Sequence, residues 1–285
     1  MKLKEVLDKS TQFFKDKKLE SPRLDAELLL AHALKLERIQ LYLKFDQPLS
    51  DEELSACREL VRRRAQGEPV AYIMENKDFY GSTFKVNSSV LIPRPETEHL
   101  VEKVLQWVEE NPQGNYNIVD LGTGSGCIGL TLLKKIPNSR LTAVDISEQA
   151  LDVAKANAEN LSVADRVDFV QADAGTMDRE LGKIDILVSN PPYIASDDND
   201  VEDNVKKFEP STALFAKDNG LAFLRDWSSK FAPFLNEKAI VVMEMGMAQG
   251  SEMKRHFEQL KVFSKVDVVK DLSGLDRVIR GEKNG

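Results

Sequence analysis

The chain has 285 residues, 42% of them hydrophobic and 30% charged, enough for one large or two modest domains at the usual size of roughly 100–200 residues each. No stretch approaches the roughly 18 uninterrupted apolar residues that a membrane span needs. Met1 to Val6 lacks the apolar core and small-residue cleavage site of a secretory signal. The formal charge is −8, with 16 Lys and Arg against 15 Asp and Glu in residues 1–85 and 23 against 32 thereafter. Phosphate-backbone binders carry a basic excess or stripe, and the one dense basic run here is Arg62-Arg63-Arg64, so direct sequence-specific binding of nucleic acid is not expected.

The two cysteines, Cys57 and Cys127, show no CxxC or Cys/His spacing, which indicates neither a disulfide framework nor a zinc site and fits a reducing, cytoplasmic setting. His32, His99 and His256 are scattered, so neither a metal site nor a Ser/His/Asp triad is expected.

From the N-terminus the periodicity is helical: Leu3, Val6, Leu7 and then Phe13 and Phe14, followed by a run through Leu24, Leu28, Leu29, Ala31 and Leu34 that opens on Ser21-Pro22, a cap with proline at the first helical position. Ser50-Asp51-Glu52-Glu53 is a capping box, and Gly67 supplies a stop after Arg64. Residues 1–74 therefore read as a small all-α bundle. Aromatic and β-branched residues around Gly81, between Phe79 and Ile92, predict a hairpin bridging two domains within residues 75–95. Pro93-Arg94-Pro95 breaks the chain, and Glu96 to Glu110 resumes helical spacing through Leu100, Val104 and Trp107.

Residues 96–285 alternate short apolar strands with helices. Ile118–Leu121 precedes a helix from Cys127, and Leu141–Asp145 precedes one from Glu148. Val167–Val170, Ile184–Val188 and Ala239–Met243 follow. The final runs, Val262–Val269 and Arg277–Ile279, read as an antiparallel pair. Such alternation implies right-handed crossovers and a doubly wound, mostly parallel α/β sheet.

Asp120-Leu121-Gly122-Thr123-Gly124-Ser125-Gly126 lies where a strand gives way to a helix, and ligands of such sheets sit beyond the carboxyl ends of the strands. A dinucleotide fingerprint wants a third glycine where this chain has Cys127. Asp120 at the loop entry suits a ligand bearing an ammonium better than one bearing two phosphates. S-adenosylmethionine carries that ammonium. Asp145 ends the next strand, 21 residues past Gly124, where a carboxylate can accept both ribose hydroxyls or cap the helix that starts near Glu148. Asp173 follows the third strand and reads either as a partner for an adenine amino group or as a loop aspartate.

Ser189-Asn190-Pro191-Pro192-Tyr193 leaves the sheet at the same edge. Two prolines fix two φ angles and remove two donors, so the loop offers acceptors, chiefly the Asn190 side-chain oxygen and the Pro191 carbonyl. These suit an NH2 group. An amide nitrogen is a poor nucleophile because its lone pair is delocalised, the resonance behind a rotation barrier of roughly 18–20 kcal/mol. Two fixed acceptors that draw the NH2 from its plane turn lone-pair density toward a sulfonium methyl. Tyr193 offers an aromatic face for a flat amide or a flat base.

Gly122 to Gly126 with Asp145 resembles class I methyltransferases, and Asn190-Pro191-Pro192-Tyr193 resembles amino-methyltransferases that act on adenine, cytosine or glutamine nitrogen. Glu68-Pro69-Val70-Ala71-Tyr72-Ile73, Phe79-Tyr80-Gly81 and Val90-Leu91-Ile92-Pro93-Arg94-Pro95-Glu96-Thr97-Glu98 are very similar to the peptide chain release factor glutamine methyltransferase family, essentially end to end. The resemblance implies a class I, Rossmann-like α/β domain with an antiparallel last strand, preceded by a helical bundle that recognises the release factor. It implies methylation of the glutamine in the factor's Gly-Gly-Gln loop by a chain expected to be monomeric. Asp120, Gly122, Thr123, Gly124, Ser125, Gly126, Asp145, Asp173 and Ala174 would hold S-adenosylmethionine, with Asn190 at the junction. Asn190, Pro191, Pro192 and Tyr193 would hold the glutamine, with Asn190, Pro191 and Tyr193 in the catalytic roles. Pro93 to Thr97 reads as a helix-entry turn or a wall near the site. The competing reading is an adenine amino-methyltransferase acting on DNA or RNA, which would share both motifs.

Overall fold

The computed structural model describes residues 1–178, 181–198 and 201–284. It divides into two compact units, Met1–Asn76 with Asp203–Phe208, and Lys77–Glu202 with Glu209–Gly285.

The first unit comprises α1 (Leu3–Asp16), α2 (Pro22–Ala33), α3 (Arg38–Leu43), α4 (Asp51–Ala65), α5 (Val70–Met74) and, late in the chain, Asp203–Phe208, which is α9 in chain order. Their apolar stripes meet in a core of Leu3, Leu7, Phe14, Ala26, Leu29, Leu30 and Leu41, each large side chain contributing about 1.5–3 kcal/mol by leaving water. The capping box forms as read: Ser50 Oγ accepts the Glu53 amide at 3.2 Å and Glu53 Oε2 accepts the Ser50 amide at 2.8 Å. Ser21 differs from its reading, because it precedes Pro22 at the helix start but makes no side-chain cap bond. The basic run on α4 is consumed by carboxylates, with Arg62 on Glu59 at 2.6 Å, Arg63 on Glu68 at 2.5 Å and Arg64 on Asp25 at 2.7 Å. It is not a free phosphate-gripping stripe.

The hairpin is β1 (Asn76–Phe79) and β2 (Ser82–Lys85), joined through Tyr80 and Gly81, both with positive φ (46° and 73°) as a two-residue hairpin turn requires. It is more than a bridge. Phe79 and Phe84 are buried in the core of the second unit beside Leu100, Val101 and Val104, and the Asn157 side chain bonds both the amide and the carbonyl of Lys85.

A 3-10 turn, Pro95–Thr97, leads into α6 (Glu98–Glu110). There follow β3 (Asn117–Leu121), α7 (Cys127–Lys135), β4 (Arg140–Asp145), α8 (Glu148–Asn160), β5 (Val167–Gln171) and β6 (Ile184–Ser189). A short parallel pair, β7 (Ile194–Ala195) and β8 (Phe215–Ala216), precedes α10 (Ala222–Phe231), β9 (Leu235–Glu244), α11 (Gly250–Gln259), β10 (Lys265–Lys270) and β11 (Asp276–Lys283). Among the described residues, seven strands form the main sheet in the order β10-β11-β9-β6-β3-β4-β5. Neighbours from β9 to β5 pair in parallel, and β11 runs antiparallel to both β9 and β10. The closing pair thus forms as expected, with the last strand inserted inside the sheet and β10 left at the edge. Alternate residues of β3 and β9 feed opposite cores: Ile118, Ile240 and Val242 pack with α6 and α7, while Val119, Leu121, Val241 and Met243 pack with α10 and α11.

The register sets up the site. Val144, Leu121, Ser189 and Met243 are partners in one row across the four central strands. The residue after each is Asp145, Gly122, Asn190 or Glu244, so both motif loops and two carboxylates leave the sheet at one level. The order also reverses at β3, whose neighbours are β4 and β6, and a switch point of this kind opens a crevice at the carboxyl edge.

Candidate active site

A cavity of about 490 Å3 opens at that edge, within the range of roughly 300–1,000 Å3 usual for small-molecule sites. Gly122, Thr123, Gly124, Ser125, Asp145, Asp173, Ala174, Asn190 and Pro192 line it. Asp120, Gly126, Pro191 and Tyr193 do not; Pro191 shares its loop with Asn190 and Pro192, and the other three have other jobs.

Asp120 is fully buried beneath the glycine loop, where its Oδ2 accepts from Thr123 Oγ1 at 2.8 Å and from the Gly129 amide at 3.1 Å. Through these two bonds it ties the loop to the first turn of α7. Its Oδ1 has no partner among the described residues, and burial pushes its pKa up to about 6. Gly126 has φ of 80° and packs inward, where an added Cβ would lie 2.6 Å from Leu130 Cδ1. At Gly124, with φ of 54°, an added Cβ would meet nothing closer than Gly122 O at 4.0 Å. One glycine serves packing and the other leaves the cavity open.

Asp145 lines the cavity but is not the cap of α8, which is Ser147. The Asp145 Oδ1 accepts the Ser147 amide and its Oδ2 the Gly124 amide, both at 2.9 Å. A carboxylate offers about four lone-pair sites, more than these two bonds use. Burial raises its pKa and these backbone amides oppose the shift. Asp173 Oδ1 accepts the Gly175 amide at 2.8 Å.

On the acceptor side, Asn190 Nδ2 donates to Thr97 Oγ1 at 3.2 Å, Thr97 Oγ1 donates to Glu244 Oε2 at 2.6 Å, and Tyr193 Oη donates to Glu244 Oε1 at 2.8 Å. Tyr193 therefore presents its hydroxyl to a buried carboxylate, and its ring packs on the α10–α11 side of the sheet. It is not a cavity wall, because its hydroxyl is turned to Glu244. Burial raises the pKa of Glu244, with Thr97, Tyr193 and the Arg277 charge acting against it. Burial likewise pushes up the Tyr193 phenol.

Several lining residues carried no motif. Phe223 and Trp227 lie one turn apart on α10, with ring centroids 5.3 Å apart, and both line the cavity; at i, i+4 spacing they are indistinguishable from core residues in sequence. The Trp227 Nε1 is buried without a partner among the described residues. Pro93, Arg94 and Thr97 line the cavity as well, so this segment is both a helix-entry turn and a wall. Glu209, nearly fully buried, joins opposing walls by accepting from the Ile92 amide at 3.2 Å and from Arg94 at 2.5 Å. Glu244 had one legible signal, an acid ending an otherwise apolar strand at the ligand edge.

The PrmC N-terminal domain model matches residues 5–74 and the methyltransferase small domain model matches residues 98–222. Among solved structures, a methyltransferase from Pyrococcus furiosus is similar with a TM-score of 0.52 at 16% identity, over 79% of this chain and 98% of that one. The hMettl16 catalytic domain in complex with MAT2A 3'UTR hairpin 6 is similar with a TM-score of 0.55 at 15% identity, over 82% of each. Both share the fold. In sequence, the chain is 38% identical to the release factor glutamine methyltransferase of Rhodopirellula baltica over 98% of this chain and 95% of that protein. It is 40% identical to that of Leptospira interrogans over 96% of each. Relatedness of this extent, end to end through both units, makes the chain a member of the release factor glutamine methyltransferase family.

Proposed function

We propose that this protein transfers a methyl group from S-adenosylmethionine to the side-chain amide nitrogen (N5) of the glutamine in the Gly-Gly-Gln loop of peptide chain release factors, with the N-terminal bundle, residues 1–74, recognising the factor. The observation that carries this reading is Asn190: its carboxamide sits at the cavity edge with Nδ2 held by Thr97 and no described donor on Oδ1.

The cavity fits the methyl donor. Two carboxylates, Asp145 and Asp173, line it with aromatic Phe223 and Trp227, a combination that takes a cationic ligand with a flat base. The orphaned Trp227 Nε1 supplies a donor at that wall. Asp145 would hold the ribose hydroxyls, Gly122 and Gly124 would let the backbone approach, and Asp173 and Ala174 would border the adenine. When bound, S-adenosylmethionine supplies an electrophilic methyl on a sulfonium. The protein's part is orientation: Asn190 Oδ1 and the Pro191 carbonyl accept the two amide hydrogens of the glutamine, so charge leaving the nitrogen meets fixed dipoles with no reorganisation. Pro192 keeps the loop rigid.

The adenine reading has less behind it, since Arg62 to Arg64 are spent on Glu59, Glu68 and Asp25. The test is incubation with methyl-labelled S-adenosylmethionine and a release factor, its Gln→Ala loop variant or duplex DNA. Label on the intact factor alone is expected; label on DNA would replace this reading with base methylation.

A further inference from the structure

The row that places Asn190 beside Glu244 builds a chain of hydrogen bonds whose direction is fixed. Glu244 ends β9 and is 1% exposed; Thr97, on the turn before α6, is 2% exposed. Each oxygen of Glu244 meets one hydroxyl, Tyr193 at 2.8 Å and Thr97 at 2.6 Å. With Glu244 ionised, the form that the Thr97 and Tyr193 hydroxyls and the Arg277 charge favour against its burial, the carboxylate only accepts, so each hydroxyl spends its single hydrogen on it. Thr97 Oγ1 then has lone pairs alone to offer Asn190, 3.2 Å away. The Asn190 carboxamide can answer only with its NH2, which leaves its oxygen toward the cavity.

We propose that Glu244, acting through Thr97, is a positioning residue that sets the orientation of the Asn190 carboxamide and so makes the site an acceptor of N–H donors. It touches neither substrate nor cofactor. Without it, the Thr97 hydroxyl can donate to Asn190 Oδ1 and turn the amide over, presenting NH2 to the incoming NH2, a mismatch that leaves buried polar groups unpaired. Tyr193 completes the device by occupying the second Glu244 oxygen, so that the carboxylate cannot swing away from Thr97.

The inference rests on the methyl-transfer reading above. The test compares wild type with Thr97→Val, which keeps the shape and removes the hydroxyl, Thr97→Ser, which restores it, and Glu244→Gln, whose amide can donate to Thr97 and reverse the chain. Steady-state methylation of a purified release factor gives kcat and the KM for S-adenosylmethionine, and calorimetry gives cofactor Kd. Thr97→Val and Glu244→Gln are expected to lower kcat about tenfold, the rate equivalent of one hydrogen bond of about 1.4 kcal/mol, with cofactor Kd unchanged and Thr97→Ser within about twofold of wild type. Wild-type kcat in Thr97→Val and Glu244→Gln overturns the positioning role, as does a kcat loss matched by an equal rise in cofactor Kd, which would mark a merely structural wall. Failure of the wild-type enzyme to label the factor would instead overturn the acceptor assignment on which the inference stands.

Discussion

Gly124 and Gly126 lie two residues apart in one loop, and the structure assigns their Ala substitutions opposite consequences. Both have positive φ, 54° and 80°, so each Ala pays roughly 1–2 kcal/mol of left-handed strain, offset by about 0.4–1 kcal/mol from a stiffer unfolded chain. At Gly124 nothing further is lost, because the new methyl has open space with its first neighbour at 4.0 Å. At Gly126 the methyl would sit 2.6 Å from Leu130 Cδ1 and 3.0 Å from Leu130 Cγ, and Leu130 is fully buried; overpacking of this kind costs about 1–3 kcal/mol more. Gly126→Ala should therefore lose about 2–4 kcal/mol of stability by urea denaturation. Gly124→Ala should lose less than about 1.6 kcal/mol. For binding the order inverts. The Gly124 methyl stands at the cavity, where a similar overlap of about 1–3 kcal/mol weakens S-adenosylmethionine by roughly tenfold to a hundredfold in Kd by calorimetry. Folded Gly126→Ala binds within a few-fold of wild type. Equal stability losses, or a larger affinity loss at Gly126, would refute the division of labour in the loop.

Asn190→Ala should lower turnover by roughly 10²–10³ with little change in cofactor affinity, as expected when a preorganised partner of the transition state is removed; unchanged turnover would exclude Asn190 from the chemistry. Asp145→Ala should weaken S-adenosylmethionine by about 1.5–3 kcal/mol, the loss of hydrogen bonds to a charged group, and calorimetry showing no change would strike Asp145 from the cofactor site. Asp120 gives a pH signature. Its folded pKa of about 6 lies above the ordinary 3.8, so the folded state holds the proton more tightly, and this stability is present below the unfolded pKa and lost as pH rises through the folded one. The stability of wild type minus that of Asp120→Asn should fall by about 2 kcal/mol between pH 4 and pH 7. A difference independent of pH would show that Asp120 is not buried as described.

Much of the fold was legible because it is written in period and punctuation. The Ser50 capping box, the turn at Gly81 and the apolar strands read to end at Leu121, Asp145 and Val188 each carry a local signal that tertiary packing did not override. The last strand was read correctly as antiparallel, yet its insertion between β9 and β10 depends on which neighbour covers it, and no periodicity encodes that. At the site, the glycine loop and Asn190 were visible because their chemistry demands unusual backbones. The distinction between Gly124 and Gly126 was not, since it depends on Leu130 lying under one and not the other. Asp120 and Tyr193 were assigned to ligands for their residue type, and neither lines the cavity: Asp120 bonds Thr123 and Gly129, and Tyr193 bonds Glu244. Phe223, Trp227 and Thr97 reach the cavity from distant segments, and only the alignment of β6 with β9 brings Glu244 beside Asn190.

The most direct measurement is fragmentation mass spectrometry of a release factor methylated by this enzyme, reading the atom that carries the methyl. Methyl on the side-chain nitrogen of the Gly-Gly-Gln glutamine, and its loss with Asn190→Ala, is the predicted result. Methyl on another residue, or on the backbone, would contradict the account of the Asn190 site.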